Sequence, residues 1–392
     1  MIMEGTWWGF VLAERIKVAP SAGLMHFGFV LTGLGTALLG PILPLLTRQW
    51  HLQDAQSGLL LLAQFCGSFI GGVSVSRHLR RSLLAGLTAA AIGFGGFAVA
   101  PDLWLACAGL LIGGFGLGQI ITSTNILAGR RYTEHRGSAL AFLNFSWSFG
   151  AMLSPLLAAW LLPRFALRGM LECFAGLFLI GALGMTAQLW GAPEEMGVAD
   201  APPGSKGLGW GVFLYFAGLL FLYGGVETCL SGWLTTYALR YGNKTLTVSE
   251  YTTLLLWMAL TVGRAGSSVV MLRAGEKTVQ RWGLAFAAVF TAGLAMAHSA
   301  IGIAVCAILL GLSLSPFFPA TFALLMAEKP AARQAGIVLA VSGLGAAGLP
   351  WLMGVVSTRT GSLQIALSLP LAAAIVLLGM SLWWNRDRHQ PG

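Results

Sequence analysis

The chain has 392 residues, of which 56% are apolar and only 9% charged, with a net charge of +9. A soluble domain carries about 25% charged residues to cover its surface. Soluble enzymes, collagens, disordered chains and nucleic-acid binders are thereby excluded, and a polytopic helical membrane protein remains.

Apolar runs long enough to span a bilayer fall at 20–46, 55–76, 83–100, 104–129, 137–162, 167–190, 210–239, 250–272, 279–297, 300–327, 335–356 and 362–384. Each is near the roughly 20 residues that a spanning helix needs. The expected fold is therefore all-α, with twelve transmembrane helices. Met1 to Lys17 mixes acids with bases and is followed by no small-residue cleavage site, so no cleavable leader is expected.

Basic residues set the orientation. With the N-terminus inside, sixteen of the 23 Lys and Arg fall in inner segments, among them Arg77, Arg80, Arg81, Arg130, Arg131, Arg136, Arg273 and Lys277. Six fall in outer loops or outer span ends, and Arg264 lies inside a span. This positive-inside bias predicts cytoplasmic termini, in a plasma membrane or a bacterial inner membrane. Trp50, Trp104, Trp160, Trp190, Trp210, Trp282, Trp383 and Trp384 lie at span ends, as in an interfacial aromatic belt.

Gly191 to Gly209 is the one long interior loop, with Pro193, Pro202 and Pro203. It reads as a cytoplasmic linker between a bundle at 1–190 and a second at 210–392. The halves look related. Gly150-Ala151-x-x-x-Pro155 recurs as Gly345-Ala346-x-x-x-Pro350 at an offset of 195, and Gly67, Arg77 and Arg81 recur as Gly263, Arg273 and Lys277 at an offset of 196. Two parallel six-helix halves are one construction of a secondary transporter.

Polar groups are costly inside a bilayer, so the few present point to function. Glu227 in span 7 and Arg264 in span 8 are the strong charges deep in a span. At about 1.5 Å per residue their axial gap is roughly 8 Å, within reach of two long side chains on neighbouring helices. Such a pair either couples transport to a proton or ion, or ties spans 7 and 8 together. Trp257, Thr261, Arg264 and Ser268 share one face of span 8 by their spacing. Asn144, Trp147 and Ser148 do so on span 5, and Gln119, Thr122 and Ser123 on span 4 with Asn125 beyond. Gln64 in span 2 and Tyr223, Ser231 and Trp233 in span 7 complete the set.

Amides pair with hydroxyls and indole faces pack on a sugar ring, so a cavity of Gln64, Gln119, Asn125, Asn144, Trp147, Trp233 and Trp257 suits a sugar. The competing reading is interhelical hydrogen bonding, which uses the same residue types. His26 reads as a packed residue, and Arg168–Glu172 as a surface pair. Asn243-Lys244-Thr245 fits a glycosylation sequon of low specificity. Cys66, Cys107, Cys173, Cys229 and Cys306 lie singly in apolar segments without metal-ligand spacing. Pro316, Pro319 and Pro350 are expected to loosen spans 10 and 11.

Over essentially its whole length the chain resembles the major facilitator superfamily. The loop after span 2 is similar to that family's signature loop at Gly72, Arg77 and Arg81, but has Ser76 where aspartate is usual and Leu79 where glycine is usual. Tyr223-Gly224-Gly225-Val226-Glu227 through Trp233 to Tyr237, Trp257 with Gly263-Arg264, and Pro316-Phe317-Phe318-Pro319 with Thr321 resemble helices 7, 8 and 10 of the fucose–proton symporter and sodium-dependent glucose transporter-like branch. Asn125 and Asn144 fall where that branch has asparagines. Span 1 lacks the aspartate that helps proton coupling in the fucose carriers, which leaves the ion open.

The resemblance implies a secondary transporter rather than an enzyme. It would be a monomer moving a sugar or similar polyhydroxylated solute by alternating access. No cofactor is implied beyond a coupling proton or sodium ion, with Glu227 the responsive residue and Arg264 its partner. The alternative is a proton-driven exporter of drugs or other amphipathic compounds, since Gly150 to Pro155 is similar to an antiporter element with Ser154 at a usual glycine position. An intramembrane enzyme would need a paired nucleophile and base, which the pattern lacks. The topology has a direct check. A cysteine placed at Ser205 should stay unmodified by a membrane-impermeant thiol reagent in intact cells and react after permeabilisation.

Overall fold

The structure, a computed structural model, describes residues 22–75, 78–131, 136–189, 207–242, 245–328 and 330–384. Its helices are α1 (Ala22–Gln49), α2 (Asp54–Val73), α3 (Leu79–Ala98), α4 (Leu103–Arg131), α5 (136–165), α6 (167–189), α7 (Trp210–Tyr241), α8 (Leu246–Ala274), α9 (Glu276–Met296), α10 (Ala300–Ala327), α11 (Ala332–Thr360) and α12 (Leu363–Trp383). Among the described residues there is no strand. The centre of the linker, the sequon asparagine, Ser76 and Arg77 lie outside the described residues.

Twelve passes follow from ten helices that are long and apolar enough to cross a membrane. One of these lies in the 54-residue stretch Arg136–Leu189, which would be about 80 Å long if straight, against a hydrocarbon core of about 30 Å. It turns at Ala166, whose φ of 54° and ψ of 172° leave the helical region. The remaining pass is α8, whose 29 residues are ample for the roughly 20 that a crossing needs.

Proline sets two internal breaks. α1 is interrupted at Leu38, three residues before Pro41, whose ring crowds the carbonyl of Ala37. α10 breaks at Ser315–Pro316, between Ala300–Leu314 and Phe317–Ala327. There the carbonyl of Leu312, which Pro316 cannot bond, accepts from the Ser315 hydroxyl at 2.7 Å. α11 runs unbroken through Pro350, so the loosening expected there is not seen.

The internal repeat has a packing cause. A Cβ on Gly150 of α5 would lie 2.0 Å from the Val30 carbonyl oxygen of α1. A Cβ on Gly345 of α11 would lie 1.7 Å from the Phe221 carbonyl oxygen of α7. Each half thus brings two backbones into direct contact at the same point of the repeat, where only glycine fits. In lipid such close approach supplies the dispersion energy that a hydrophobic effect cannot.

The first six and last six helices meet at α1–α7, where a Cβ on Gly40 would lie 2.4 Å from the Ser231 carbonyl oxygen, and along two further seams. α2 lies against α11 over its whole length. A Cβ on Gly58 would sit 2.9 Å from Trp351 Cα, and one on Gly72 would lie 3.9 Å from Ala340 Cβ. α5 lies against α8 near mid-helix, at Trp147 and Trp257. At the face carrying Trp50, Arg240 at the end of α7 makes a bidentate ion pair with Asp54, the first residue of α2. Asp54 Oδ2 also accepts from Ser357 of α11 at 2.5 Å, and the Ala55 amide donates to Thr358 at 2.8 Å. Three helices from both halves are latched there.

Gly150→Ala and Gly345→Ala should each destabilise the detergent-solubilised protein by about 1–3 kcal/mol, because the obstructing atoms are backbone. Gly176→Ala, with nothing within 4 Å of its added Cβ, should be neutral or stabilising. Thermal unfolding of the three variants checks this.

Candidate functional site

Arg264 anchors the site. Its Nη2 donates to Glu227 Oε1 at 3.0 Å, so α8 and α7 are joined as their mid-span positions required. Its Nη1 donates to the Ser148 hydroxyl of α5, which crosses from one half of the chain to the other. The guanidinium carbon lies 5.6 Å from the centroid of the Trp147 ring, within cation–π range. Side-chain exposures of 12% for Arg264 and 15% for Glu227 leave the pair largely desolvated.

The same face of α8 continues the contact. Trp257 is 3% exposed and meets Trp147 edge-on, with ring centroids 5.5 Å apart at 73°. Thr261 donates to the Trp257 carbonyl at 2.7 Å and lies 3.3 Å from the Ser148 carbonyl. Tyr223, one turn before Glu227 on α7, points its hydroxyl at Glu227 Oε1 and at the Leu314 carbonyl, each 3.4 Å away. Its ring stacks on Phe317 just past the α10 break, with centroids 4.5 Å apart.

Two buried donors in this group have no partner among the described residues: Trp257 Nε1 and Arg264 Nε. Unbonded polar groups in a low-dielectric site are costly unless a ligand or water meets them. Trp147, Trp257, Glu227 and Arg264 are therefore brought together as one polar and aromatic cluster on α5, α7 and α8.

The remaining candidates stand in other surroundings. Gln64 is 1% exposed, and its Nε2 is 3.2 Å from the carbonyls of both Gly35 and Thr36 on α1. Gln119 donates to the Ser74 hydroxyl at 3.0 Å. The Oε1 atoms of both glutamines have no partner among the described residues. Asn125 donates back to the Ile121 carbonyl at 3.0 Å. Asn144 is half-buried, one turn before Ser148 on α5. Trp233 is 1% exposed and donates from its indole to the Pro350 carbonyl of α11 at 3.0 Å. His26 bonds the Ser146 hydroxyl at 2.8 Å, and Arg168 pairs with Glu172 at 2.7 Å on the exposed surface. None of the nine candidates lines a cavity of about 580 Å³ that lies toward the Trp50 face.

Asp54 was not among the candidates. An acid at a helix start is an ordinary feature, and only the partners from α7 and α11 reveal its bridging role.

A family model described as Major Facilitator Superfamily matches residues 25–347. The bypass of stop codon protein 6 of Saccharomyces cerevisiae is 24% identical, covering 91% of this chain and 80% of that protein. Among solved structures, the partially occluded inward open xylose transporter XylE from E. coli superposes with a TM-score of 0.76 at 15% identity, covering 95% of this chain and 99% of that one. FucP, a major facilitator transporter in the outward conformation, gives 0.61 at 18% identity, covering 94% and 98%.

The cross-half bond is testable without a substrate. Ser148→Ala removes the hydroxyl that accepts from Arg264 and should destabilise the fold by about 1.5–3 kcal/mol, as for a bond to a charged group. Ser154→Ala, nearly two turns further along α5, removes a buried hydroxyl without a partner among the described residues and should be neutral or stabilising. Paired thermal melts distinguish the two.

Proposed function

The chain belongs to the major facilitator superfamily, a membrane transporter and not an enzyme, and from that premise we propose that it carries a sugar or similar small polyhydroxylated solute. The observation that supports this most is the pair of unbonded donors, Trp257 Nε1 and Arg264 Nε, beside the ring of Trp147. A solute hydroxyl can accept from such donors, while an apolar ring face packs on the indoles. The fold likeness to a xylose transporter favours the same class.

In this reading the bundles at 1–190 and 210–392 expose the cluster to each side of the membrane in turn, with the linker and both termini in the cytoplasm. The protein acts as a monomer in the plasma membrane or bacterial inner membrane. Asn144, Asn125, Gln119 and Gln64 join the site as the bundles rearrange.

Glu227 is the coupling group. With Arg264 bound it is an ion pair. When substrate draws the guanidinium away, the carboxylate is left in a dry setting and takes up a proton or a sodium ion. Ser148 is the second partner that holds Arg264 in the unloaded arrangement.

Uptake of labelled monosaccharides into proteoliposomes, with and without a proton or sodium gradient, tests the proposal. Trp147→Ala should weaken binding by more than about tenfold, or about 1.4 kcal/mol. Glu227→Gln should abolish gradient-driven accumulation but retain substrate exchange. Glu227→Gln with Arg264→Gln should restore any stability lost in the single variant, yet not accumulation. Normal accumulation by well-folded Glu227→Gln excludes the coupling role.

A further inference from the structure

A second buried acid lies well away from the Arg264 cluster. Glu250, in the second turn of α8, is 1% exposed. Its Oε1 has no hydrogen-bond partner among the described residues. It forms part of the wall of the cavity of about 580 Å³ toward the Trp50 face. The other walls are Leu45, Arg48 and Gln49 at the end of α1, the α5–α6 corner around Ala166, and Leu246 on its own helix.

Among the described residues no ion pair or hydrogen bond neutralises an anionic Glu250. On the elements around it, Arg240 of α7 is bound to Asp54, Arg168 of α6 to Glu172, and Arg164 to the Trp160 carbonyl. Tyr237 of α7 gives its hydroxyl to the Leu294 carbonyl. α10 contributes no charged side chain. Arg48, in the wall of the same cavity, is exposed and forms no ion pair among the described residues. The neighbouring Ser249 and Thr252 hydroxyls donate to backbone carbonyls of their own helix. An isolated carboxylate in such a place costs several kcal/mol or more, and the simplest occupant that removes the charge is a proton.

We propose that Glu250 is a proton-binding site served by this cavity, separate from the Glu227–Arg264 pair. Proton uptake forms one O–H bond on the carboxyl, with the proton taken from cavity water, and release returns it there. α1, α5 and α6 come from one half of the chain and α8 from the other. Any motion of the halves changes how much water reaches the carboxyl, and hence how tightly it holds the proton. This inference rests on the transporter assignment, but neither on a sugar substrate nor on a role for Glu227.

The test uses the purified full-length protein without substrate. Dicyclohexylcarbodiimide attacks protonated carboxyls in apolar surroundings, and mass spectrometry of the digest locates the adduct. Labelling of the Glu250 peptide is expected at neutral pH, falling about tenfold for each pH unit above the titration point. In infrared titration, the protonated-carboxyl band should lose a component in Glu250→Gln and keep that component in Glu227→Gln. An unlabelled Glu250 at every pH overturns the proposal, as does a band unchanged in Glu250→Gln. Sodium that abolishes labelling at fixed pH as effectively as alkali also overturns it, by showing that a metal cation is the occupant. Should Glu250→Gln fail to fold, labelling of the parent protein decides alone.

Discussion

A full positive charge in the middle of a membrane protein constrains everything near it. Arg264 cannot remain unpaired at that depth, and its planar fork reaches two acceptors at once. One is Glu227 on the neighbouring helix, and the other is Ser148 on the opposite half. The indole of Trp147 covers the cation, and Trp257 supports the indole. The same guanidinium thus fixes the α7–α8 packing and closes the α5–α8 seam. A structural ion pair needs only the first of these contacts. The contact between halves is what makes the pair sensitive to a change in their relative position.

Much of this was legible in the sequence, because membrane helices follow simple rules. Long apolar runs mark the passes, and lone charges within them stand out. The pairing of Glu227 with Arg264 needed only a rise per residue and two adjacent spans. The Gly150 and Gly345 repeat was visible as spacing, and its cause became clear only when two carbonyl oxygens were found beneath it.

Other features left no such signal. Asp54 opens α2 and Glu250 lies in the second turn of α8, near span ends where acids are commonplace, and their significance depends on helices far away in the chain. Periodicity placed Gln64 and Trp233 on plausible faces but could not say which backbone carbonyls their donors would meet. Proline content was a partial guide. α10 breaks at Pro316, whereas α11 continues through Pro350, because helix packing decides whether a lost backbone bond opens the chain.

The α2–α11 and α5–α8 seams are unequal. α2 and α11 touch from the Gly58 level to the Gly72 level, with little between their backbones at one end. The α5–α8 seam is held near its middle by aromatic rings and one guanidinium, with a cavity between its helices toward the Trp50 face. A continuous contact behaves as a hinge line, since sliding or parting would expose small residues along its whole length. A punctate contact behaves as a clasp, which one rearranged side chain can release. The two halves are thus stitched along α2 and α11 but only buttoned at α5 and α8, so a change at the Arg264 button costs far fewer contacts than one along the stitching.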